Sequence, residues 1–241
     1  MESVISVGGS IIAPDKVDTA YLQRFAGLIM ELLREDERRR FVLVAGGGGP
    51  ARLWQAAYRD ASAALGNKTD DRQADWIGIM ATRLNAQLVK ALFGDYCADD
   101  VVTDPTAGAG KAAGQEEGIF TGRVLVAAGW KPGFSSDNDA VLLAKRFGIK
   151  TIVNLSNIEK VYTADPKSHP DAKPLDSISW KDFRLLTGSV WTPGKNLPFD
   201  PVASRNAEEA GIEVICASGR NIENLRQILS GGRYTGTRIH A

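Results

Sequence analysis

Short apolar segments alternate with helix-forming segments along this chain, and this alternation constrains the fold more than any other feature. Four apolar segments read as buried strands, and they cover residues 4–7, 41–45, 124–128 and 151–155. The first three run directly into glycine, which marks a tight turn. Strands that alternate with helices predict a three-layer α/β/α sandwich with a mostly parallel central sheet.

The remaining elements follow from the same patterns. Helices are predicted at residues 18–40, from near Pro50, and at 75–93, 139–147, 201–210 and 222–229. Strands are predicted at 213–216, with a short extended piece at 161–162 and an edge strand at 237–239. Residues 106–118 are rich in Gly and Ala and predict a mobile loop. Neither a linker nor an internal repeat is evident, so residues 1–241 are predicted to form one domain.

Composition excludes several classes of protein. Lys plus Arg and Asp plus Glu both number 29, so no overall charge draws the chain to nucleic acid or to an anionic membrane. No apolar stretch approaches the roughly 18 residues that span a bilayer, and the first residues lack the pattern of a signal peptide. Cys97 and Cys216 are predicted to be buried thiols. We therefore expect a soluble cytoplasmic protein.

The strand ends carry the chemistry. In open parallel sheets, ligands bind beyond the carboxyl ends of the strands, and glycine lets backbone N–H groups approach a phosphate. Any one glycine after a strand is explained by a turn, but several in one short chain favour a phosphate site. Neither G-x-x-x-x-G-K-[ST] nor a helix-opening G-x-G-x-x-G follows the first strand. Such a site is therefore built in another way.

A set of motifs, in order along nearly the whole chain, resembles the amino-acid kinase superfamily and most closely its archaeal-type UMP kinases. The motifs are Val7-Gly8-Gly9-Ser10, Ala45-Gly46-Gly47-Gly48 with Arg52, the D-x-x-G-I-x-x-T-R-x-N-A stretch from Asp75 to Ala86, Ser135-Ser136-Asp137 and Val161-Tyr162-Thr163-Ala164-Asp165-Pro166. The stretch from Asp75 is the more specific signal, because the last motif is shared by several nucleotide-binding members.

The resemblance implies Mg²⁺-dependent phosphoryl transfer from ATP to UMP, giving UDP and ADP for pyrimidine nucleotide biosynthesis. It implies ATP contacts at Gly9, Ser10, Gly48, Arg52, Ser156, Asn157, Tyr162 and Asp165. It implies UMP contacts at Gly47, Asp75, Trp130, Lys131, Pro132, Gly133, Phe134, Ser135 and Ser136. The catalytic residues would be Arg52, Lys131 and Asp137, with Asp137 also the metal ligand. A homo-oligomer, by resemblance a hexamer, is expected.

Plainer explanations stay open for three of these residues. The alternative for Arg52 is a solvated arginine in a first helical turn, that for Asp75 is a helix N-cap, and that for Tyr162 is a core residue.

Three positions depart from the family pattern. Ser6, Gly49 and Asn157 stand where many relatives carry a lysine. The moving phosphoryl group therefore lacks cations that would stabilise its charge. Lys131 is the first candidate to replace them, and Lys160 and Arg123 are others.

These departures keep a second function open. Molybdenum storage proteins resemble UMP kinases, keep nucleotide binding and hold oxyanion clusters, so a molybdate or tungstate storage-like or regulatory protein is the alternative. A kinase of the isopentenyl phosphate type usually has a histidine after its glycine triplet, and Gly49-Pro50-Ala51 has none.

Overall fold

The computed structural model describes residues 3–107, 120–166, 168–188 and 197–241. Most of the predicted Gly-Ala loop at 106–118 lies outside these ranges. The strands are β1 (Ser3–Val7), β2 (Phe41–Ala45), β3 (Val124–Ala127), β4 (Thr151–Ser156), β5 (Val161–Tyr162), β6 (Pro174–Leu175), β7 (Ser177–Ser179), β8 (Glu213–Ser218) and β9 (Thr237–His240). The helices are α1 (Gly9–Ile12), α2 (Thr19–Glu35), α3 (Gly48–Ala64), α4 (Asp71–Phe93), α5 (Ser136–Phe147), α6 (Trp180–Thr187), α7 (Pro201–Glu209) and α8 (Ile222–Leu229).

Seven strands form one twisted sheet in the order β3-β2-β1-β4-β8-β9-β7. The first five are mutually parallel, whereas β9 runs antiparallel to β8 and pairs in parallel with β7. β5 and β6 form a separate antiparallel pair. The predicted sandwich with its mostly parallel sheet is confirmed.

Helices cover both faces of the sheet because the strands alternate apolar side chains between the faces. One apolar core joins α2 and α4 to the sheet around Phe25, Ile29 and Val89. The other joins α5, α6 and α7 around Leu143, Phe183 and Ala207. Cys97 and Cys216 are buried free thiols, as predicted. Among the residues placed by the structure, no helix is both long and apolar enough to cross a membrane.

Several predicted boundaries are wrong, and each has a local cause. α2 ends at Glu35 rather than Arg40, because Asp36 is extended and its carboxylate accepts the N–H of Arg38 in a turn. α4 begins at Asp71, four residues before Asp75, because Asp70 caps it by accepting the N–H of Arg72. α5 begins at Ser136 rather than Asp139, with Ser135 as its N-cap.

The far end of the sheet also differs from the prediction. β9 is an inner strand, because β7 pairs along its outer side. β7 has only three residues, and α6 follows it immediately, so neither element shows the length or apolar run that sequence patterns detect.

Candidate active site

The carboxyl ends of β1, β2, β3 and β4 lie side by side at one edge of the sheet. Val7 is in register with both Ala45 and Leu155, and Val44 is in register with Ala127. The segments that leave these strands therefore emerge together. The structure thus brings the three glycine-bearing strand ends and Ser156 to the same edge, where an open α/β sheet binds ligands.

The first two glycine turns pack backbone against backbone. A Cβ on Gly9 would lie 2.0 Å from the nitrogen of Gly48, and a Cβ on Gly46 would lie 2.4 Å from the nitrogen of Gly9. Gly48 has a φ of +67°, and its Cβ would lie 2.2 Å from the oxygen of Gly9. These glycines are required by the contact between the turns, a reason that the sequence pattern did not show. Ser10 follows Gly9 in the single turn of α1 and is partly exposed.

The face of α4 holds both the second glycine turn and the loop after β3. The side-chain amide of buried Asn85 donates to the oxygens of Gly46 and Gly47, at 2.8 and 3.1 Å. Thr82 accepts the N–H of Gly129 at 2.8 Å, and Arg83 donates to the oxygen of Trp130 at 3.0 Å. The D-x-x-G-I-x-x-T-R-x-N-A stretch therefore positions two loops of the site.

Asp75 belongs to the same face and joins α4 to the tip of the third loop. Its Oδ2 accepts the N–H of Gly133 at 3.1 Å. The predicted alternative that Asp75 caps α4 is wrong, since Asp70 is the cap. Asp75 therefore lies at the mouth of the site, beside the loop that the resemblance assigns to UMP.

The third loop turns sharply at Lys131-Pro132-Gly133-Phe134. The N–H of Phe134 donates to the oxygen of Lys131 at 3.2 Å, and Gly133 has a φ of +86°, which its lack of a Cβ permits. The rings of Trp130 and Phe134 meet edge to face at 4.7 Å. The ammonium of Lys131 lies 3.6 Å from the Trp130 ring centre, a cation–π contact.

Asp137 lies in the first turn of α5, beside Ser6 near the carboxyl end of β1. Its Oδ2 accepts the N–H of Asp200 at 3.1 Å, and its Oδ1 faces the hydroxyl of Ser6 at 3.4 Å. Burial, reinforced by the negative charge of Asp200, raises the pKa of Asp137 to about 7. Burial also raises the pKa of Asp200, which caps α7 through the N–H of Ala203. Ser135 and Ser136, at the start of α5, complete this corner.

Asp139 is a site residue that the sequence reasoning missed. It is fully buried, its Oδ2 accepts the N–H of Trp130 at 3.2 Å, and its Oδ1 has no hydrogen-bond partner among the residues that the structure describes. Burial raises the pKa of its carboxyl to about 7. In the sequence, Asp139 is visible only as a second aspartate two residues after Asp137, in a segment whose pattern predicts a helix and no further role.

Arg52 projects from the first turns of α3 beside the glycine turns. It is exposed and donates to the oxygen of Pro14 at 3.1 Å. This contact orients the guanidinium toward the segment after α1 and leaves its other N–H groups available to a ligand.

The residues assigned to adenosine follow β4. Ser156 ends β4 and accepts the N–H of Ile158 at 3.3 Å, and Asn157 is exposed beside it. Tyr162 is half-buried in β5 rather than in the core, opposite Pro174. Asp165 opens a turn in which its oxygen accepts the N–H of His169 at 2.8 Å.

Two of the candidate replacement cations are engaged elsewhere. Lys160 forms an ion pair with Asp176. Arg123 lies at the amino end of β3, where it donates to backbone oxygens including that of Asp36. Arg123 is therefore excluded, because the site lies at the opposite end of that strand.

A mostly parallel sheet with glycine turns at its carboxyl edge is the arrangement expected of the amino-acid kinase fold, and sequence comparison agrees. The profile of the amino acid kinase family matches residues 1–218. The chain belongs to this family.

Its relatives include proteins named uridylate kinase. That of Methanospirillum hungatei is 32% identical over 237 residues, which is 98% of this chain and 93% of the relative. That of Thermoplasma volcanium is 33% identical over 229 residues, 95% of this chain and 92% of the relative. The crystal structure of uridylate kinase from Archaeoglobus fulgidus is 27% identical, with a TM-score of 0.75, and covers 99% of this chain and 100% of its own.

Proposed function

We propose that this chain is a UMP kinase that transfers the γ-phosphoryl group of ATP to UMP. The observation that carries the proposal is the meeting of three glycine-bearing strand ends with Asp137 at one edge of the sheet, in a chain similar to uridylate kinases over almost its full length. Phosphoryl transfer depends on positioning and charge neutralisation more than on covalent chemistry, and this edge is built for positioning.

The two substrates would approach from opposite sides of the glycine turns. Gly9, Ser10 and Gly48 would bind the phosphates of ATP, and Ser156, Asn157, Tyr162 and Asp165 its adenosine. Gly47, Asp75 and the loop comprising Trp130, Lys131, Pro132, Gly133, Phe134, Ser135 and Ser136 would bind UMP. The contacts from Asn85 to Gly47 and from Arg83 to Trp130 support the UMP side of this division, because they fix the backbone that UMP would meet.

Asp137 fits a metal-binding role. Within the described ranges no ion pair neutralises it, and no group of three acidic, histidine or cysteine side chains could enclose a metal there. Mg²⁺ commonly takes one or two protein carboxylates and completes its shell with substrate phosphates and water. Mg²⁺ bound to ATP would neutralise charge on the phosphates, and Asp137 would hold the complex in place.

Arg52 and Lys131 are the cations that this proposal requires for the transferred group. Arg52 can bind a phosphate through two parallel hydrogen bonds. Lys131 rests on the face of Trp130, a contact worth only about 1 kcal/mol at an exposed site, so a phosphate can draw it away. Together they would take the place of the lysines absent at Ser6 and Gly49.

The setting of the enzyme is part of the proposal. We place it in the cytoplasm, in pyrimidine nucleotide biosynthesis, as a single domain that forms a homo-oligomer. Large apolar side chains exposed on α3 and α4 support the oligomer, because surfaces of this kind pack against partners.

A coupled ADP-release assay with ATP and Mg²⁺ tests the function. UMP would be compared with CMP, dUMP, GMP and isopentenyl phosphate, and we expect UMP to be turned over fastest. Arg52→Ala and Lys131→Gln should each lower kcat by about 100-fold, because each removes a charge from the transition state. Lys68→Ala, an exposed lysine between α3 and α4, is the control. ATP binding without turnover of any acceptor would refute the kinase and favour a storage or regulatory protein.

A further inference from the structure

Trp130, at the start of the loop after β3, has both of its main-chain groups held by charged side chains. Its N–H donates to Oδ2 of Asp139 on α5 at 3.2 Å, and its oxygen accepts a guanidinium N–H of Arg83 on α4 at 3.0 Å. The two helices pack on opposite faces of the sheet. Trp130 is therefore held from both sides, which restrains the direction in which the chain enters the turn at 131–134.

The contact with Asp139 differs from the other contacts of this loop in its burial. Thr82 accepts the N–H of Gly129 and Asp75 accepts that of Gly133, but Thr82 and Asp75 are partly exposed. Asp139, by contrast, is 0% exposed. Water competes for an exposed hydrogen bond but not for a buried one, so solvent does not weaken the contact that Asp139 makes with the loop.

Packing alone does not account for a carboxyl group at position 139. The neighbouring residues of α5, Ala140, Val141 and Leu143, belong to the apolar core. A carboxyl group buried there carries a desolvation cost, and its Oδ1 has no hydrogen-bond partner within the described part of the chain. An apolar side chain would avoid that cost. What Asp139 provides and an apolar side chain would not is an acceptor for the N–H of Trp130.

Trp130 carries the part of the loop that the proposed reaction uses. The ammonium of Lys131 lies on the ring of Trp130, and the ring of Phe134 meets the same ring edge to face. A shift of Trp130 would therefore move an aromatic ring and a cation together. Misplacement of a binding group by about 1 Å can lower a reaction rate by about 100-fold.

We propose that Asp139 is a positioning residue for the acceptor nucleotide, which holds Trp130, and through it Lys131, in place to bind UMP. The inference rests on the proposed function, because it concerns the UMP side of that site. Asp139 itself would not contact UMP. Its loss should weaken only the acceptor side, since the residues assigned to ATP follow β1, β2 and β4 rather than β3.

Steady-state kinetics of the full chain separate the two sides. Asp139→Ala should raise KM for UMP about tenfold, the loss expected for one hydrogen bond, and leave KM for ATP within about twofold of the wild type. Asp139→Leu, which fills the space without an acceptor, should do the same if the alanine variant does not fold. Asp139→Asn keeps an oxygen that accepts the N–H of Trp130, so its KM for UMP should be near that of the wild type. Arg83→Met should also raise KM for UMP, because it removes the contact on the other side of Trp130.

Asn138→Ala is the matched control. Asn138 is buried in the same turn of α5, but its side chain accepts an N–H from Asn206 on α7. The variant should lower the unfolding free energy without changing KM for UMP. An unchanged KM for UMP in Asp139→Ala, or an equal rise in Asn138→Ala, would overturn the proposal.

Hydrogen exchange tests the contact without any turnover. Mass spectrometry of peptides that cover residues 129–134 should show faster exchange, by about tenfold at the amide of Trp130, in Asp139→Ala than in the wild type or in Asp139→Asn. A wild type that turns over no acceptor would refute the proposed function, and the exchange rates would then decide alone whether Asp139 holds the loop. Equal exchange in the wild type and Asp139→Ala would overturn the proposal whatever the turnover.

Discussion

The buried carboxyl group of Asp139 makes the stability of the folded protein depend on pH. Its unfolded pKa is close to 3.9, whereas burial raises its pKa in the folded protein to about 7. Between these values the folded state binds more protons than the unfolded state. Stability therefore falls as the pH rises from about 4 to about 7, and it changes no further from this group above that range.

We predict that Asp139→Asn reduces this loss of stability. The amide oxygen can still accept the N–H of Trp130, but the side chain no longer ionises. Urea unfolding of the wild type at pH 5, 6, 7 and 8 should show a midpoint that falls with pH, and the variant should show a shallower fall. Some slope should persist, because the pKa of Asp137 is also raised to about 7. Asp60→Asn, on exposed α3, is the control. Parallel profiles for wild type and Asp139→Asn would contradict the prediction.

At the scale of elements, comparing Gly48 with Gly66 isolates the effect of the contact between the two glycine turns. Gly48 takes part in this contact, and Gly66, after α3, does not. Both glycines adopt the left-handed backbone conformation, with φ of +67° and +69°. A Cβ on Gly48 would lie 2.2 Å from the oxygen of Gly9, whereas a Cβ on Gly66 would meet nothing within 4 Å. Alanine at either position costs about 1–2 kcal/mol of backbone strain, and only at Gly48 does a steric clash add to it.

We therefore predict that Gly48→Ala destabilises the protein by more than Gly66→Ala and also abolishes ATP binding. Denaturant unfolding gives the first quantity, and calorimetric titration with ATP gives the second. Gly66→Ala should lower the unfolding free energy slightly and bind ATP normally. Equal losses of stability would mean that the turns separate easily, and that their contact does not fix the site.

The elements that the sequence predicted well are those whose signal is local. β2 is a continuous apolar run, β1 and β4 are mostly apolar runs, and the positions of all three follow from the local pattern. The start of α5 depends on the cap at Ser135, and the inner position of β9 depends on pairing with the three residues of β7. The pairing of β9 with β7 joins residues far apart in the chain, so no local pattern contains it. The Ser135 cap acts over only three residues, and the apolar periodicity did not show it because it is a polar contact.

The candidate site shows the same division. The glycine-rich strand ends and the D-x-x-G-I-x-x-T-R-x-N-A stretch predicted residues that the structure brings together at one edge of the sheet. These motifs did not predict what each residue contacts. Asn85 binds the backbone of the second glycine turn, and Gly9 packs against Gly48. Asp139 went unnoticed because its importance comes from burial, which only the tertiary structure determines.

For the whole molecule, α3 and α4 present an apolar surface that the chain does not cover. Leu53 and Trp54 on α3 are 68% and 65% exposed, and Met80 and Leu84 on α4 are 57% and 70% exposed. Within α3, whose residues the structure describes throughout, Ser62 alone is buried. The two helices pack against each other, because the side-chain amide of Gln55 donates to the oxygen of Ala74 at 2.9 Å. α3 and α4 therefore form one layer, and each of these two neighbouring helices carries exposed apolar side chains.

We predict that a second copy of the chain covers this surface, and that Trp54→Glu and Leu84→Glu break the assembly. Light scattering during size-exclusion chromatography should give a wild-type mass that is a multiple of 25.9 kDa, and a lower mass for both variants. A charge buried against an apolar partner carries a desolvation cost that no new contact offsets. Leu185→Glu, on α6 and 76% exposed, should keep the wild-type mass, because it lies outside this layer. A wild-type mass of one chain would refute the oligomer, and equal dissociation by Leu185→Glu would show that the interface lies on another surface.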